Sequence, residues 1–457
     1  MKLLGMAALC AVAGCGGGGN NPPMIDAAAP DAAEMVTRVE VLSAPVNATR
    51  DVDLLFLIDD SPSMLDKQVS LKANFPNFIN ALDALPGGRP NLHIGVVTSD
   101  LGTSAAGDAS PGPSIGSGTG ACIGNGKSGN LTTSGSTLVT GTFISDIAAS
   151  GSRATNYTGT LAAAFSAIAS VGQNGCGFEQ SIEAVKRALN NNAANAGFLR
   201  PSANLAIVFL SDEDDCSAQH VTLFGSDPTV FGPLASFRCT RFGVTCDQGG
   251  TTPDEMNAVG AKSSCHSNES GTNLTKVADY ATFFKGLKAD PRNVLVAALV
   301  GDATPVSVAN VIPPGGGTAV PALEHSCTYV TSGSTTAVAD PAVRISQLAG
   351  MFDRHAVDTV CKADLSTGLA DIAAQLAPLL GSPCLTKAIA MPADCVVTDD
   401  AVGGGSTVIP QCPGADPCYT IATDATACSA APQLALHVTR TGAAPAGTVT
   451  TVKCKLP

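Results

Sequence analysis

Asp59-Asp60-Ser61-Pro62-Ser63 follows directly on the apolar run Leu54 to Ile58, placing two carboxylates and two hydroxyls within five residues. Oxygen donors at the alternating positions Asp59, Ser61 and Ser63 are the ligand types that a hard divalent cation takes. Other apolar runs end alike. Leu92 to Val97 is followed by Thr98-Ser99-Asp100, Leu205 to Leu210 by Ser211-Asp212-Glu213-Asp214-Asp215, and Val294 to Val300 by Gly301-Asp302. Most of these ends carry no His or Cys, which favours Mg²⁺ first, then Ca²⁺ or Mn²⁺, over a soft metal. Each residue also has a plainer reading. Asp60, Ser61 and Ser63 are good helix N-cap types. Asp100, Asp214 and Asp302 taken singly are solvated loop acids. Glu183 and Arg187, four apart, read as a surface pair, and His93 inside its apolar run reads as packed core.

The apolar runs must be strands that carry these residues to one place. Between the first two lies a stretch with Leu65, Val69, Phe75, Ile79 and Leu82 near helical spacing, where Pro76 is expected to kink the helix. Phe178, Ile182, Val185 and Leu189 mark another helical stripe, as do Val277, Phe283, Phe284 and Leu287, and the helical period returns near 345–352 and 365–380. Continuous apolar strands alternating with helices predict an α/β fold, an open doubly wound and mainly parallel sheet covered on both faces. In such sheets, ligands bind beyond the carboxyl ends of the strands. Insertions near 101–152, rich in Gly, Ser and Thr, and near 217–273, with Cys239, Cys246 and Cys265, are expected to form surface loops and disulfide-stapled excursions.

Asp59-x-Ser61-x-Ser63 between a buried strand and a helix resembles the metal-ion-dependent adhesion site of von Willebrand factor A domains. Asp212, at the end of a later strand, matches that family's second acidic position. The resemblance covers roughly residues 52–380, with long insertions. It implies that Ser61 and Ser63 bind the cation directly, and that Asp59 and Asp212 bind directly or through water. Few protein charges then sit on the metal, which can accept a carboxylate from a protein or peptide partner. The family's intermediate loop usually supplies a Thr; the corresponding stretch here is Gly175-Cys176-Gly177-Phe178-Glu179-Gln180. Either Glu179 substitutes as an oxygen ligand or that position is empty. Asp100 and Asp214 stand behind these as further candidate ligands. The segments His93 to Thr98 and Ser211 to Cys216 also look like a group of bacterial lipoproteins that carry such domains.

The first residues agree with that last likeness. Lys2 is followed by an apolar run too short to span a bilayer, and Val12-Ala13-Gly14-Cys15 before Gly16 to Gly19 resembles a lipobox. Residues 1–14 are therefore expected to be a signal peptide and Cys15 a lipidation site. Residues 15–36 are expected to form a tether reaching roughly 25 Å at about 5 to 6 Å times the square root of its length. Gly16 is not the Asp that holds many Gram-negative lipoproteins at the inner membrane, so the outer membrane or cell surface is expected, with lipid as the membrane anchor. With Cys10 and Cys15 set aside, fourteen of the 16 cysteines remain, enough for seven disulfides in an exported protein. No C-x-x-C pair points to a zinc ribbon. Spacing does not determine connectivity; proximity in the chain offers Cys412 with Cys418 and Cys428 with Cys454. The sheet domain is expected over 37–383 and a small disulfide-rich β domain over 384–457.

With 457 residues, a net charge of −13 and no Lys/Arg-rich run, the chain has no footprint for nucleic acid. Gly112-Pro113-Ser114-Ile115-Gly116 matches G-x-S-x-G but sits in a Gly/Ser/Pro stretch without the strand-to-helix elbow that motif needs. Ser61 stands where a haloacid-dehalogenase-type phosphatase would need a second Asp. The expected function is a surface-anchored binding module, not an enzyme, that captures a carboxylate through a cation. One alternative is a metal-dependent hydrolase with Asp212 or Asp214 on the metal and Asp59 as nucleophile or base. The other is a structural envelope protein.

Overall fold

The computed structural model describes residues 41–457 apart from 47–49, 86–87, 150–151, 314–315, 332, 381–383, 386, 402–403, 425–427, 429–430 and 441–447. The expected signal (1–14), Cys15 and the tether (15–36) lie outside the described residues.

The central sheet is built from β1 (Asp51–Ile58), β2 (Asn91–Val97), β3 (Ile144–Ala149), β4 (Ser152–Thr155), β5 (Asn204–Leu210), β6 (Val294–Val300) and β7 (Arg354–Thr359), in the order β7-β6-β5-β1-β2-β3-β4. β7, β6, β5, β1 and β2 run parallel, while β3 and β4 add an antiparallel edge. The helices that cover it are α1 (Leu65–Asp83), α2 (Leu161–Ile168), α3 (Ser181–Leu189), α4 (Val277–Gly286), α5 (Val343–Gly350) and α6 (Ser366–Leu380). Because side chains alternate along a strand, Leu54, Phe56 and Ile58 enter one core with Leu71, Phe75, Phe165 and Leu376 from α1, α2 and α6. Leu55 and Leu57 enter the other, with Val185, Phe284 and Leu348 from α3, α4 and α5. Every residue of β5 and β6 is buried, as a strand covered on both faces requires. The doubly wound α/β sheet expected from the sequence is the fold the chain adopts.

One detail of α1 differs from expectation. The helix runs on beyond Pro76, and Phe75, Ile79 and Leu82 of the expected stripe are buried, but Leu65 and Val69 are 49% and 45% exposed. The stripe is displaced only in the first turns, which bury Lys67 and Gln68 instead, for a reason that lies at the sheet edge.

The first insertion is not loop throughout, since its end forms β3 and runs on into β4. The second carries the helix Phe237–Gly243 and the strands Val244–Gln248 and Gly260–Ser267. A third excursion, unforeseen, fills 301–340: the strands Val306–Val311 and Val320–Leu323 extend the small sheet of the second insertion, and Cys327–Val330 pairs with Thr336–Ala339. Its short, Pro- and Gly-interrupted runs carry little periodicity of their own.

Seven disulfides form among the described residues, including Cys412–Cys418 as proximity suggested. Cys428, however, joins Cys384, and Cys454 joins Cys395. Strand register decides the second of these, because Cys395 lies directly opposite Cys454 in the antiparallel ladder. That ladder belongs to a four-stranded sheet that also recruits Val41–Val46 against Val449–Lys455, so a strand assigned by sequence to 37–383 pairs with the C-terminal segment. No helix among the described residues is long and apolar enough to cross a membrane.

Candidate functional site

Parallel register levels the strand ends. Ile58 pairs with Leu210, Leu57 with Val97 and Leu210 with Leu299, so the residues that follow leave the sheet along one edge. Asp59 continues the ladder, donating its N–H to the Leu210 carbonyl at 3.0 Å, and is fully buried. Both its oxygens are engaged. Oδ1 accepts from the Ser61 N–H (2.8 Å) and the Ser99 hydroxyl (3.1 Å), and Oδ2 from the Ser211 hydroxyl (2.7 Å). A one-turn 3₁₀ helix, Pro62–Met64, then leads into α1, and the Ser61 side chain at its N-cap position makes no capping bond. The Ser61 and Ser63 hydroxyls instead lie 3.1 Å apart, and Ser63 Oγ donates to Asp212 Oδ1 at 2.9 Å. The capping reading of the serines therefore fails, and Asp59, Ser61, Ser63 and Asp212 form one connected cluster.

Lys67 completes it. Its Nζ donates to Asp212 Oδ2 at 2.7 Å and to the Ser63 carbonyl at 3.1 Å, and the side chain is 2% exposed. This buried ammonium, one turn beyond Ser63, accounts for the displaced stripe of α1.

Glu179 lies buried beside this cluster and is hydrogen-bonded to Glu213. Burial first, then the neighbouring Glu213 and Asp59 charges, hold the Glu179 carboxyl well above its ordinary pKa. Burial and the Asp340 and Asp212 charges push Glu213 up to about 8. Asp59 is raised to about 7 by burial and by the Asp212 charge, against the lowering effect of its bonds from Ser61 and Ser211. Buried side-chain oxygens left without a partner include Glu179 Oε1, Asp60 Oδ1, Thr98 Oγ1 and Ser181 Oγ, all on segments at this edge. Native interiors leave few such atoms, and their concentration here marks the place where an external group would be welcome.

The remaining candidates do other work. Asp100 Oδ1 accepts from the Gly102 N–H at 2.9 Å and shapes its own turn. Asp214 is half-buried and engaged rather than simply solvated: it accepts from the backbone N–H groups of Arg344 and Ile345, capping the start of α5, and desolvation raises it to about 6. Asp302 is exposed, and Asp60 is paired with Lys127. Glu183, read as half of a surface pair, is 4% exposed; it holds Arg187 at 3.0 Å and accepts from the Tyr280 hydroxyl at 2.9 Å. Packing of α3 against α4 and the first insertion buries what its sequence spacing suggested was exposed. Half-buried His93 contacts the Phe198 carbonyl at 2.9 Å, consistent with packing. Ser114 of the G-x-S-x-G match is exposed, with no strand before it or helix after it.

The insertions brace these loops. Cys122–Cys176 ties the first insertion to the segment that delivers Glu179, and Cys216–Cys239 ties the Asp212 loop to the helix Phe237–Gly243. Crosslinks closing such loops contribute roughly 3 to 4 kcal/mol each in the chain-entropy view. Gly175 donates its N–H to the Asp60 carbonyl at 2.8 Å, and a Cβ there would collide with the Asp60 side chain and backbone. Gly175→Ala is therefore expected to cost about 1 to 3 kcal/mol of stability, the usual penalty for overpacking. Urea unfolding of the oxidised protein measures it, and an unchanged midpoint would mean that this loop yields freely.

Sequence reasoning missed Lys67 and Glu213. Lys67 had a signal, since a lysine one turn after a buried cluster lies on the same helix face; its partner is 145 residues away and had none. Among the described residues, no three His, Cys, Asp or Glu side chains are arranged to hold a metal by themselves. A cation here would need the Ser61 and Ser63 hydroxyls as direct ligands. The donor set suits a hard cation in kind, with the Glu179 oxygen free and the Lys67 ammonium already on one side of Asp212.

The chain is similar to a solved structure described as von Willebrand factor type A from Catenulispora acidiphila, at 12% identity and a TM-score of 0.27. The alignment covers 91% of this chain, which spans 60% of that one. No protein-family model matches, and no curated protein matches.

Proposed function

We propose that this chain is a binding module whose sheet edge holds a divalent cation, Mg²⁺ before Ca²⁺ or Mn²⁺, and through it a carboxylate of a protein or peptide partner. One observation carries the reading. The Ser61 and Ser63 hydroxyls turn away from the helix they precede and toward each other and Asp212, while Asp59 is locked behind them by three hydrogen bonds. Ser61, Ser63 and Asp212 would hold the cation, Asp59 would orient the Ser61 backbone, and Glu179 would offer its unpartnered oxygen. The cation would supply a hard, incompletely neutralised positive charge for a carboxylate.

Hydrolysis is disfavoured by the same geometry, since a fully buried Asp59 with both oxygens engaged has no open approach as nucleophile or base. A structural role draws support from Lys67, whose ammonium neutralises Asp212 without any added ion. The lipobox resemblance around Cys15 supports anchoring at the outer membrane or cell surface.

Calorimetric titration of Mg²⁺, Mn²⁺ and Ca²⁺ into chelator-stripped protein tests the reading. Saturable binding is expected, weakened at least ~100-fold, or about 2.8 kcal/mol, in Asp59→Ala and in the double variant Ser61→Ala/Ser63→Ala. Absence of binding by the parent protein would leave the structural role in its place.

A further inference from the structure

Beside the cation cluster lies a cleft of about 230 Å³ that the sheet itself does not form. Its apolar wall comes from the insertions, with Phe237 at the start of the helix Phe237–Gly243 and Leu323 at the end of the strand Val320–Leu323. Its other wall is acidic: Glu179, Glu213 and Asp340 line it. Glu179 is 1% exposed and keeps one carboxyl oxygen without a partner, Asp340 has its Oδ1 held by His325 Nδ1 at 2.6 Å and its Oδ2 left for a ligand, and no lysine or arginine lines the cleft. The third excursion is seated here by a backbone bond from the Asp340 N–H to the Asp212 carbonyl at 2.8 Å, so the cleft is continuous with the sheet edge.

From this juxtaposition we propose that the cleft binds an alkylammonium group, a primary ammonium on an unbranched apolar stem, with its head against Glu179, Glu213 and Asp340 and its stem against Phe237 and Leu323. Size agrees, because 230 Å³ corresponds to about eight water-sized units at ~30 Å³ each, room for a stem of several carbons and its head. Donor count agrees as well: an ammonium offers three N–H donors to the carboxyl groups of Glu179, Glu213 and Asp340 on one wall, where a hydroxyl offers one. The same chemistry is offered by a free amine or by the lysine side chain of a peptide. The proposal goes beyond the cation reading and does not require it.

The test uses the full soluble chain in EDTA, so that failure of divalent binding and failure of this cleft are read separately. Titrants are n-hexylammonium, the isosteric alcohol 1-hexanol, and N-acetyl-lysine methylamide, followed by calorimetry and by protein NMR shifts. Saturable binding of hexylammonium is expected, with the alcohol at least tenfold weaker. Ala235→Trp, which fills the cleft from an exposed rim position, and Asp340→Asn should each weaken the amine at least fivefold while the unfolding midpoint stays in place. Binding of the lysine amide as tight as hexylammonium assigns the site to a peptide side chain; preference for hexylammonium assigns it to a free amine. Equal affinity for amine and alcohol, no saturable amine binding, or amine binding unaffected by Ala235→Trp would overturn the proposal.

Discussion

Lys67→Met raises the affinity for a divalent cation at least tenfold and lowers the stability of the metal-free protein by roughly 3 to 5 kcal/mol. Both effects come from one contact. The Lys67 ammonium lies 2.7 Å from Asp212 Oδ2, and the two side chains are 2% and 3% exposed. Breaking a buried pair by removing one partner strands the other charge, which costs about that much. Methionine keeps the length and most of the apolar packing of the lysine stem, so the charge is the main thing lost. A divalent ion approaching Asp212 in the parent protein must approach this ammonium too, at a repulsion of order several kcal/mol even at an effective dielectric of about 20. Without Lys67 that repulsion is gone and the stranded carboxylate becomes an added attraction. Saturating Mg²⁺ should accordingly recover much of the lost stability in Lys67→Met and little in the parent. Calorimetric titration and urea unfolding of both proteins, with and without Mg²⁺, measure this. If Lys67→Met is destabilised yet binds no cation, the ammonium is the resident charge of the site and the structural role holds.

Metal-free protein loses stability as pH rises from about 4 to about 8. Asp59, raised to about 7, and Glu213, raised to about 8, are accompanied by Glu179, also raised, whereas unfolded carboxyls titrate near 4. Between those limits the folded state holds more protons than the unfolded, so stability falls with pH. The contribution is complete below about pH 4 and is lost as pH passes the folded values. Groups with lowered values, such as Asp290 and Asp399, act only below the ordinary carboxylate range. His93, lowered chiefly by burial, opposes the trend below its ordinary value of about 6.5, which leaves the higher window to the buried carboxyls. At about 1.4 kcal/mol per unit the loss amounts to several kcal/mol. Glu213→Gln should flatten the slope and raise stability at pH 8, because a neutral amide replaces a group that must otherwise ionise in the interior. Mg²⁺ should flatten it too, by displacing protons from the same cluster. Urea midpoints across this range in EDTA give the answer; a flat or rising profile would show that these carboxyls ionise at little cost.

The sheet and the composition of its edge were legible in the sequence, for a local reason. Five residues from Leu54 to Ile58 are buried because they are apolar in succession, and Asp59, Ser61 and Ser63 reach the edge because they are covalently next. The same adjacency carried Ser211 and Asp212 there behind β5. Parallel pairing then had to level the ends, which made the loops after β1, β2 and β5 into one site. Tertiary structure alone decided what those residues touch. Asp214 and Asp212, two residues apart, diverge to a helix start and to Lys67, since each answers to a partner more than a hundred residues away. Glu179 meets Glu213 only because the two loops pack together with Cys122–Cys176 and Cys216–Cys239 at their bases. Cys395 meets Cys454 through strand register, and Val41–Val46 completes a sheet at the other end of the chain. Periodicity and adjacency act over a few residues and can be read along the chain. Pairing of charges, sulfurs and strands across the fold depends on distances that exist only once the chain has packed.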